Sequence, residues 1–179
     1  MKKTQPLESG FPAIENSDAK ILILGSMPSV QSLKDQQYYA HPRNAFWPIM
    51  SALFHIEKSS SYEQRCNTII QNHIAVWDAI KACQRQGSLD QSIDATSMIA
   101  NDFNVFLQQH PNIQQIFFNG GKAEHVFNRH VLATLTEQQA HIARLRLPST
   151  SPAYAAMSVE QKLSVWRQHL LTINKTNIL

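Results

Sequence analysis

Short apolar runs alternate with amphipathic segments along this chain. The first run, KILIL at residues 20–24, ends at Gly25, and similar runs follow at 73–80, 113–118 and 143–148. Continuous apolar runs of this length are typical of strands that are buried on both faces of a parallel sheet. The pattern therefore predicts four strands.

The segments between these runs have helical patterns. Ser60 with Glu63, and Ser158 with Gln161, have the spacing of capping boxes, which predicts the start of a helix at each pair. Two further helical segments are bounded by Pro111 and by a pair of glycines. Strands that alternate with helices in this way predict an α/β domain with a mainly parallel sheet.

Length and composition are those of a globular domain. With 179 residues, 43% of them hydrophobic and 16% charged, the chain is long enough for a normal core and too apolar for a disordered protein. We expect one domain over residues 1–179, with residues 1–19 as an extended N-terminal arm. The net charge of +3 permits a polyanionic partner without requiring one.

The cysteines and histidines argue against a metal centre. Cys66 and Cys83 form no CxxC pair, and no HExxH or HxH spacing occurs among the eight histidines. No signal-peptide core follows the N-terminal lysines, and no run approaches 18 apolar residues. We expect a cytoplasmic protein with reduced thiols and with no metal, cofactor or membrane segment.

Three loops follow the carboxyl ends of predicted strands, where open parallel sheets bind their ligands. They start after Leu24, Phe118 and Leu147. The first loop contains neither GxGxxG nor GxxxxGK[ST], which disfavours hydride transfer and nucleotide hydrolysis. No GxSxG elbow surrounds Ser26, so we expect its hydroxyl to satisfy the turn.

Asn44 in the first loop has two competing interpretations. Asparagine just before an amphipathic run is commonly a helix N-cap. Pro48 would then occupy the fourth helical position, where a backbone N–H is normally needed, so a helix start nearer Phe46 or Trp47 is favoured. That start leaves the Asn44 amide in the loop and free to act on a ligand.

Two further polar residues keep two interpretations each. His41 is either a general base or phosphate contact, or a turn histidine before Pro42. Asn119 either forms the turn before two glycines or projects from a strand end to read the edge of a base. The residues alone favour neither interpretation in either case.

Aromatic residues crowd the first loop. Tyr38, Tyr39 and Phe46 can stack on a planar base, a contact worth about 1 to 3 kcal/mol. The alternative is core packing, which is favoured for Trp47 because it starts an apolar helical face.

Seven motifs, in order, resemble one known family. They extend from about Gly10 to Trp166 and read ILILGSMPS, YYAHPRNAFW, WDAI, GSLDQSI, NDF, IFFNG and LPSTSPA. They resemble the hypoxanthine-DNA glycosylase family within the uracil-DNA glycosylase superfamily. The resemblance implies a three-layer α/β sandwich, in which a central sheet of four parallel strands lies between helices and a DNA groove crosses the strand ends.

The resemblance also implies catalytic residues. In the wider superfamily the loop after the first strand holds the Asp or Asn that activates water, and Met27 stands at that position here. The family solution implies Asn44 as the catalytic amide and Asn119 as a second amide facing the extruded base, with His41 as a contact to phosphate or water. Leu147 stands where the superfamily has a histidine.

The residues expected around the base and the DNA follow from the same motifs. We expect the base pocket to consist of Gly25, Ser26, Met27, Pro28, Tyr39 and Phe46. The loop 147–152 resembles the superfamily's intercalation loop, and the DNA contacts that we expect are Arg43, Lys122, Ser149, Thr150 and Ser151.

The function that the resemblance implies is a monofunctional DNA glycosylase in base excision repair. Its partner would be double-stranded DNA, or single-stranded DNA, that contains deaminated bases, with hypoxanthine first and uracil second. These bases leave as stabilised anions, so two positioned amides and an aligned water suffice for cleavage. We expect a monomer in a bacterial-type cytoplasm, associated with the nucleoid.

Two other functions remain open. One is excision of uracil or thymine from G mispairs, against which stands Met27 in place of the asparagine of the GINPG motif. The other is a nucleobase-binding module, which would bind a base and release none from DNA.

Overall fold

A computed structural model of the protein describes residues 6–176, with the side chains of residues 6–171. The first part of the expected N-terminal arm, residues 1–5, lies outside the described residues. In chain order the strands are β1 (Glu8–Ser9), β2 (Ile21–Gly25), β3 (Ile74–Asp78), β4 (Ile80–Cys83), β5 (Ile99–Ala100), β6 (Gln115–Asn119) and β7 (Ala143–Leu147). The α-helices are α1 (Val30–Asp35), α2 (Phe46–Phe54), α3 (Tyr62–Gln71), α4 (Phe103–Gln109), α5 (Gly121–Val126), α6 (Glu137–Ala140) and α7 (Val159–Thr176).

The main sheet consists of four parallel strands in the order β3-β2-β6-β7. Its register places Leu24 beside Trp77 and Phe118, and Asn119 beside Leu147. The carboxyl ends of all four strands therefore lie at one edge. The predicted parallel sheet is confirmed.

Helices cover both faces of the main sheet. On one face Ile21 and Ile23 pack with buried residues of α2, α3 and α7, and on the other face Leu22 and Leu24 pack with those of α4 and α5. Alternate residues of β2 thus enter two separate cores, which is why this run is apolar throughout. The predicted three-layer sandwich is confirmed.

The predicted strand at 73–80 is in fact two strands. β3 ends at Asp78, and β4 starts at Ile80 and pairs antiparallel with β1 and β5 in a separate three-stranded sheet. The Ala79 N–H donates to the Gly25 carbonyl at 2.8 Å. The chain leaves the main sheet there, and hydrophobicity does not reveal the break because both strands are apolar.

The helix starts follow the predicted capping boxes with one shift. At α7 the Ser158 N–H donates to Gln161 Oε1 at 2.8 Å and the Gln161 N–H donates to Ser158 Oγ at 3.2 Å. At α3 the box is formed by Ser61 and Gln64, one residue beyond the predicted pair.

Among the described residues, no helix combines the length and apolar composition needed to cross a bilayer.

The N-terminal segment lies along both sheets. β1 pairs with β4, and Ile14 forms an isolated bridge with Val76 of β3. Glu8 Oε2 accepts a hydrogen bond of 3.1 Å from the buried Arg85, whose Nη2 also donates to the Pro28 carbonyl at 2.6 Å. The segment thus supports the loop after β2 through a buried arginine.

Candidate active site

A cavity of about 460 Å³ opens at the carboxyl ends of the parallel strands. Its size is that of a small-molecule site, and its position is the one that open parallel sheets favour. The candidate residues named above that lie on its wall are Gly25, Ser26, Met27, Pro28, Tyr38, Tyr39, Asn44, Asn119, Lys122, Ser149, Thr150 and Ser151. The three predicted loops therefore meet at one site.

Asn44 lies on the cavity wall just before α2. The helix starts at Phe46, as the position of Pro48 favours, and its N-cap is Ala45. Asn44 Oδ1 accepts a hydrogen bond of 3.0 Å from the Phe46 N–H, so the amide is not entirely free, contrary to the expectation from the sequence. A carbonyl oxygen has a second lone pair. The bond to Phe46 therefore sets the direction in which the rest of the amide faces the cavity.

Asn119, at the end of β6, is held by Thr150. Its Nδ2 donates to Thr150 Oγ1 and its Oδ1 accepts from the Thr150 N–H, each at 2.8 Å. One lone pair of the Oδ1 atom remains for a ligand, and the Asn119 side chain lies close enough to the Tyr39 phenol to oppose the rise in its pKa that burial causes. Thr150 is 1% exposed, so its hydroxyl positions Asn119 and is not accessible to DNA. The expected DNA contact by the Thr150 side chain is wrong for that reason.

Tyr39 and Phe46 stack on each other, with ring centroids 4.0 Å apart and planes at 23°. Tyr39 lies on the cavity wall and has a φ of 56°, a left-handed conformation that is uncommon for a bulky residue. Phe46 is fully buried and does not reach the cavity. The expected place of Phe46 in the base pocket is therefore wrong, whereas Tyr39 lies on the cavity wall together with Tyr38 and Tyr154.

His41 and Arg43 lie on a turn outside the cavity wall. The Arg43 N–H donates to His41 Nδ1 at 3.2 Å, and the Asn44 N–H donates to the His41 carbonyl at 2.8 Å. This is the arrangement of a turn histidine, and a contact by His41 to phosphate or water stays a prediction. Arg43 is exposed, and its contact with DNA stays a prediction.

The loop after β7 is fastened to α7 by a buried lysine. Lys162 is 4% exposed, and its Nζ donates to the carbonyls of Ser151 at 3.3 Å and Tyr154 at 2.8 Å. Ser149 and Ser151 remain partly exposed on the cavity wall, as does Lys122. Their contacts with DNA stay predictions.

Asp78 is a wall residue that the sequence analysis did not identify. It ends β3 beside Gly25, is 5% exposed, and its Oδ2 has no hydrogen-bond partner among the described residues. Burial, and then Asp90, raise the pKa of this carboxyl from 3.8 to about 7, which Arg85 partly offsets. An acidic residue directly after an apolar strand, at the same sheet edge as Asn119, was the signal available in the sequence.

The GSLDQSI segment closes over the loop after β2. Ser26 Oγ donates to Asp90 Oδ1 at 2.6 Å, and the Val30 N–H donates to Ser88 Oγ at 2.9 Å. Asp90 and Ser88 also lie on the cavity wall. Polar loop residues have no periodicity, so no pattern in the sequence indicates these contacts.

Within the described part of the chain, no group of three or more His, Cys, Asp or Glu residues could hold a metal ion.

Known proteins are similar to this chain in sequence and in fold. A family model described as the uracil DNA glycosylase superfamily matches residues 11–172. A protein of Methanosarcina acetivorans named hypoxanthine DNA glycosylase is 39% identical over 118 residues, which cover 65% of this chain and 73% of that protein. A protein of Methanosarcina barkeri with the same name is 34% identical over 117 residues, with the same coverage.

A solved structure is similar over nearly the whole chain. It is the solution NMR structure of a Methanosarcina acetivorans protein described as a uracil DNA glycosylase, with a TM-score of 0.73 and 32% identity. The similarity covers 93% of this chain and 99% of that chain. The chain thus belongs to the uracil DNA glycosylase superfamily.

Proposed function

We propose that this DNA glycosylase is monofunctional and hydrolyses the N-glycosidic bond of a deaminated base that has rotated out of DNA, with hypoxanthine as its first substrate and uracil as its second. The observation that carries the proposal is that Asn44 and Asn119 face one cavity at the strand ends. The two relatives named hypoxanthine DNA glycosylase support the choice of base. The step belongs to base excision repair.

Asn44 is the residue that we assign to the attacking water. Cleavage passes through an oxocarbenium-like sugar, so the water needs position more than strong deprotonation. The second lone pair of Asn44 Oδ1 accepts a hydrogen bond from the water, since the Phe46 N–H occupies the first. An amide does not take up a proton, and the proton that the water loses passes to solvent. Met27, on the same wall, has no group that could orient water.

Asn119 and Tyr39 are the residues that we assign to the base itself. The lone pair of Asn119 Oδ1 that Thr150 leaves unused can accept a hydrogen bond from the ring N–H of hypoxanthine or uracil. The Tyr39 ring supplies a stacking face on the cavity wall. Because both residues are held by protein contacts, the pocket is organised before the base enters.

The DNA substrate that we propose is a duplex with a deaminated base in a mispair, because such a base is cheaper to extrude than a paired one. Lys122, Ser149 and Ser151 on the cavity wall, and Arg43 beside it, are the proposed contacts to phosphates. We propose that the protein acts as a monomer over residues 1–179, in the cytoplasm and at the nucleoid.

A cleavage assay tests the function. The purified protein is incubated with duplexes that contain deoxyinosine, deoxyuridine or a G·T mispair, and abasic sites are converted to strand breaks and resolved on a gel. We expect product from deoxyinosine first. Faster product from deoxyuridine or the G·T mispair would favour the mismatch-specific alternative. Base binding with no product from any duplex would favour the non-catalytic module and overturn the enzyme.

The Asn44→Ala variant tests the assigned role. We expect single-turnover release of hypoxanthine to fall by about 100-fold or more, while binding to a duplex with non-hydrolysable 2′-fluorodeoxyinosine is retained. The helix start loses one hydrogen bond, which costs about 0.5 to 2 kcal/mol, so rates are compared well below the melting temperature. Asn128→Ala, at an exposed position away from the cavity, is the control. Unchanged turnover in Asn44→Ala contradicts the assignment.

A further inference from the structure

Two buried polar groups at the cavity have no hydrogen-bond partner among the described residues. They are the Asp78 Oδ2 atom and the Tyr39 hydroxyl. Both residues lie on the cavity wall. An unpaired buried polar group costs about 1 to 3 kcal/mol, so it persists where a ligand or another function requires it. Both groups therefore retain hydrogen-bonding capacity at the wall of the cavity.

The two groups lie next to each other. A Cβ built on Gly25 would collide with the Asp78 carboxylate and lie 3.0 Å from the Tyr39 hydroxyl. The absence of a side chain at Gly25 therefore makes room for the Asp78 carboxyl, which lies on the cavity wall together with the Tyr39 phenol.

Their protonation states make both groups donors near neutral pH. Burial, and then Asp78, raise the pKa of Tyr39 far above its ordinary value, and the neighbouring Asn119 side chain only partly opposes this, so the phenol keeps its proton. Burial and Asp90 raise the pKa of Asp78 to about 7, against the opposing effect of Arg85, so a large fraction of the carboxyl is neutral. A neutral carboxylic acid and a neighbouring phenol can each donate one hydrogen bond to the same oxygen.

The reaction needs such donors. When the C1′–N bond breaks, its electron pair stays on the base, and negative charge spreads to the ring nitrogens and the carbonyl oxygen. The loop 147–152 reads LPSTSP and offers no side chain that carries a positive charge to this oxygen. Hydrogen-bond donors that point at a developing oxyanion in a site that excludes water make the largest single contribution to the rate enhancement of many enzymes.

We propose that Tyr39 and the neutral form of Asp78 donate hydrogen bonds to the carbonyl oxygen of the leaving base and stabilise its negative charge. This inference rests on the proposed function and adds two catalytic residues to it. Both residues keep their protons. Water forms the new C1′–O bond and loses its proton to solvent, and the base anion takes up a proton from solvent after release.

Removal of the Tyr39 hydroxyl distinguishes stabilisation of the leaving base from simple binding of the base. Tyr39→Phe keeps the ring that stacks on Phe46 and removes one donor. We expect single-turnover release of hypoxanthine to fall by about 100-fold, while affinity for a duplex with 2′-fluorodeoxyinosine changes less than about threefold. Retained binding also shows that the variant is folded. An unchanged rate, or losses of rate and affinity that are equal, would overturn the proposal.

The pH dependence tests Asp78. The charged and titratable groups that face it are Asp90, Arg85, Tyr38 and Tyr39, and both phenols titrate well above neutrality. We expect the wild-type rate to fall as the pH rises from about 6 to about 8, because the donor is lost. Asp78→Asn keeps a weaker N–H donor that does not titrate, so its rate should be about tenfold lower at pH 6 and constant over this range.

The controls assign each failure to one claim. Asp35→Asn changes an exposed carboxylate of α1 in the same way and should keep the wild-type rate and its pH dependence. A pH dependence that survives in Asp78→Asn would overturn the role of Asp78. If the wild-type protein releases no base from deoxyinosine or deoxyuridine, the proposed function fails. If the wild-type protein releases the base, and Tyr39→Phe and Asp78→Asn release it as fast as the wild type, only the roles of Tyr39 and Asp78 are overturned.

Discussion

At the scale of single residues, Gly25 allows the Asp78 carboxyl to approach the end of β2 closely. Its backbone is not left-handed, so glycine is required here for space and not for conformation. Any side chain would meet the Asp78 carboxylate and the Tyr39 hydroxyl. The last residue of an apolar strand thereby controls access to two polar groups contributed by other parts of the chain.

Gly25→Ala should therefore reduce turnover without breaking the sheet. We expect release of hypoxanthine to fall by at least about tenfold, because the added methyl group displaces the carboxyl and the base with it. The free energy of unfolding should fall by about 1 to 3 kcal/mol through overpacking. Gly10→Ala is the matched control, since its Cβ would have no neighbour closer than 3.5 Å. Equal turnover by the two variants, measured in single-turnover assays, would contradict this account.

At the scale of elements, the loop after β7 depends on α7. Two carbonyls of this loop accept hydrogen bonds from the buried Lys162, and Trp166 Nε1 donates to the Pro148 carbonyl at 3.0 Å. The loop carries Thr150, which orients Asn119. The helix therefore supports the position of a residue in the cavity that it does not itself contact.

Lys162→Met should loosen this loop. Hydrogen bonds from a charged donor contribute about 1.5 to 3 kcal/mol, and the methionine keeps the apolar part of the side chain. We expect a lower melting temperature and weaker binding of a duplex with 2′-fluorodeoxyinosine, both measured against Arg167→Met, an exposed cation on the same helix. If Lys162→Met binds DNA as tightly as Arg167→Met, the lysine is not needed to shape the loop.

The elements also show where sequence patterns are informative. The main sheet was predictable because each strand is a separate apolar run, and β2 enters two cores. The break after Asp78 was not, since β4 continues the same apolar pattern into another sheet. The Asn119–Thr150 contact joins residues 31 positions apart, which no local spacing reveals. Phe46 and Tyr39 are equally aromatic, and only the chain path decides that Tyr39 reaches the cavity.

At the scale of the whole molecule, Asp78 links the site to folding stability. Its carboxyl has a pKa of about 7 in the folded protein and an ordinary value of 3.8 when exposed. Between these values the folded state binds the proton and the unfolded state does not. The contribution of this group to stability is therefore fully present below about pH 4 and is lost as the pH rises through 7. Active-site groups with a strongly shifted pKa commonly reduce folding stability in this way.

Comparison of the wild type with Asp78→Asn reports this contribution together with its coupling to Asp90, because carboxylates that do not interact with Asp78 titrate alike in both proteins. The free energy of unfolding, from urea titrations, should shift in favour of the variant by several kcal/mol between about pH 4 and about pH 7, since each pKa unit corresponds to about 1.4 kcal/mol. Above pH 7 the difference should level off. A constant difference across this range would show that the folded protein holds Asp78 ionised, and an ionised carboxylate would repel the leaving base that it is proposed to stabilise.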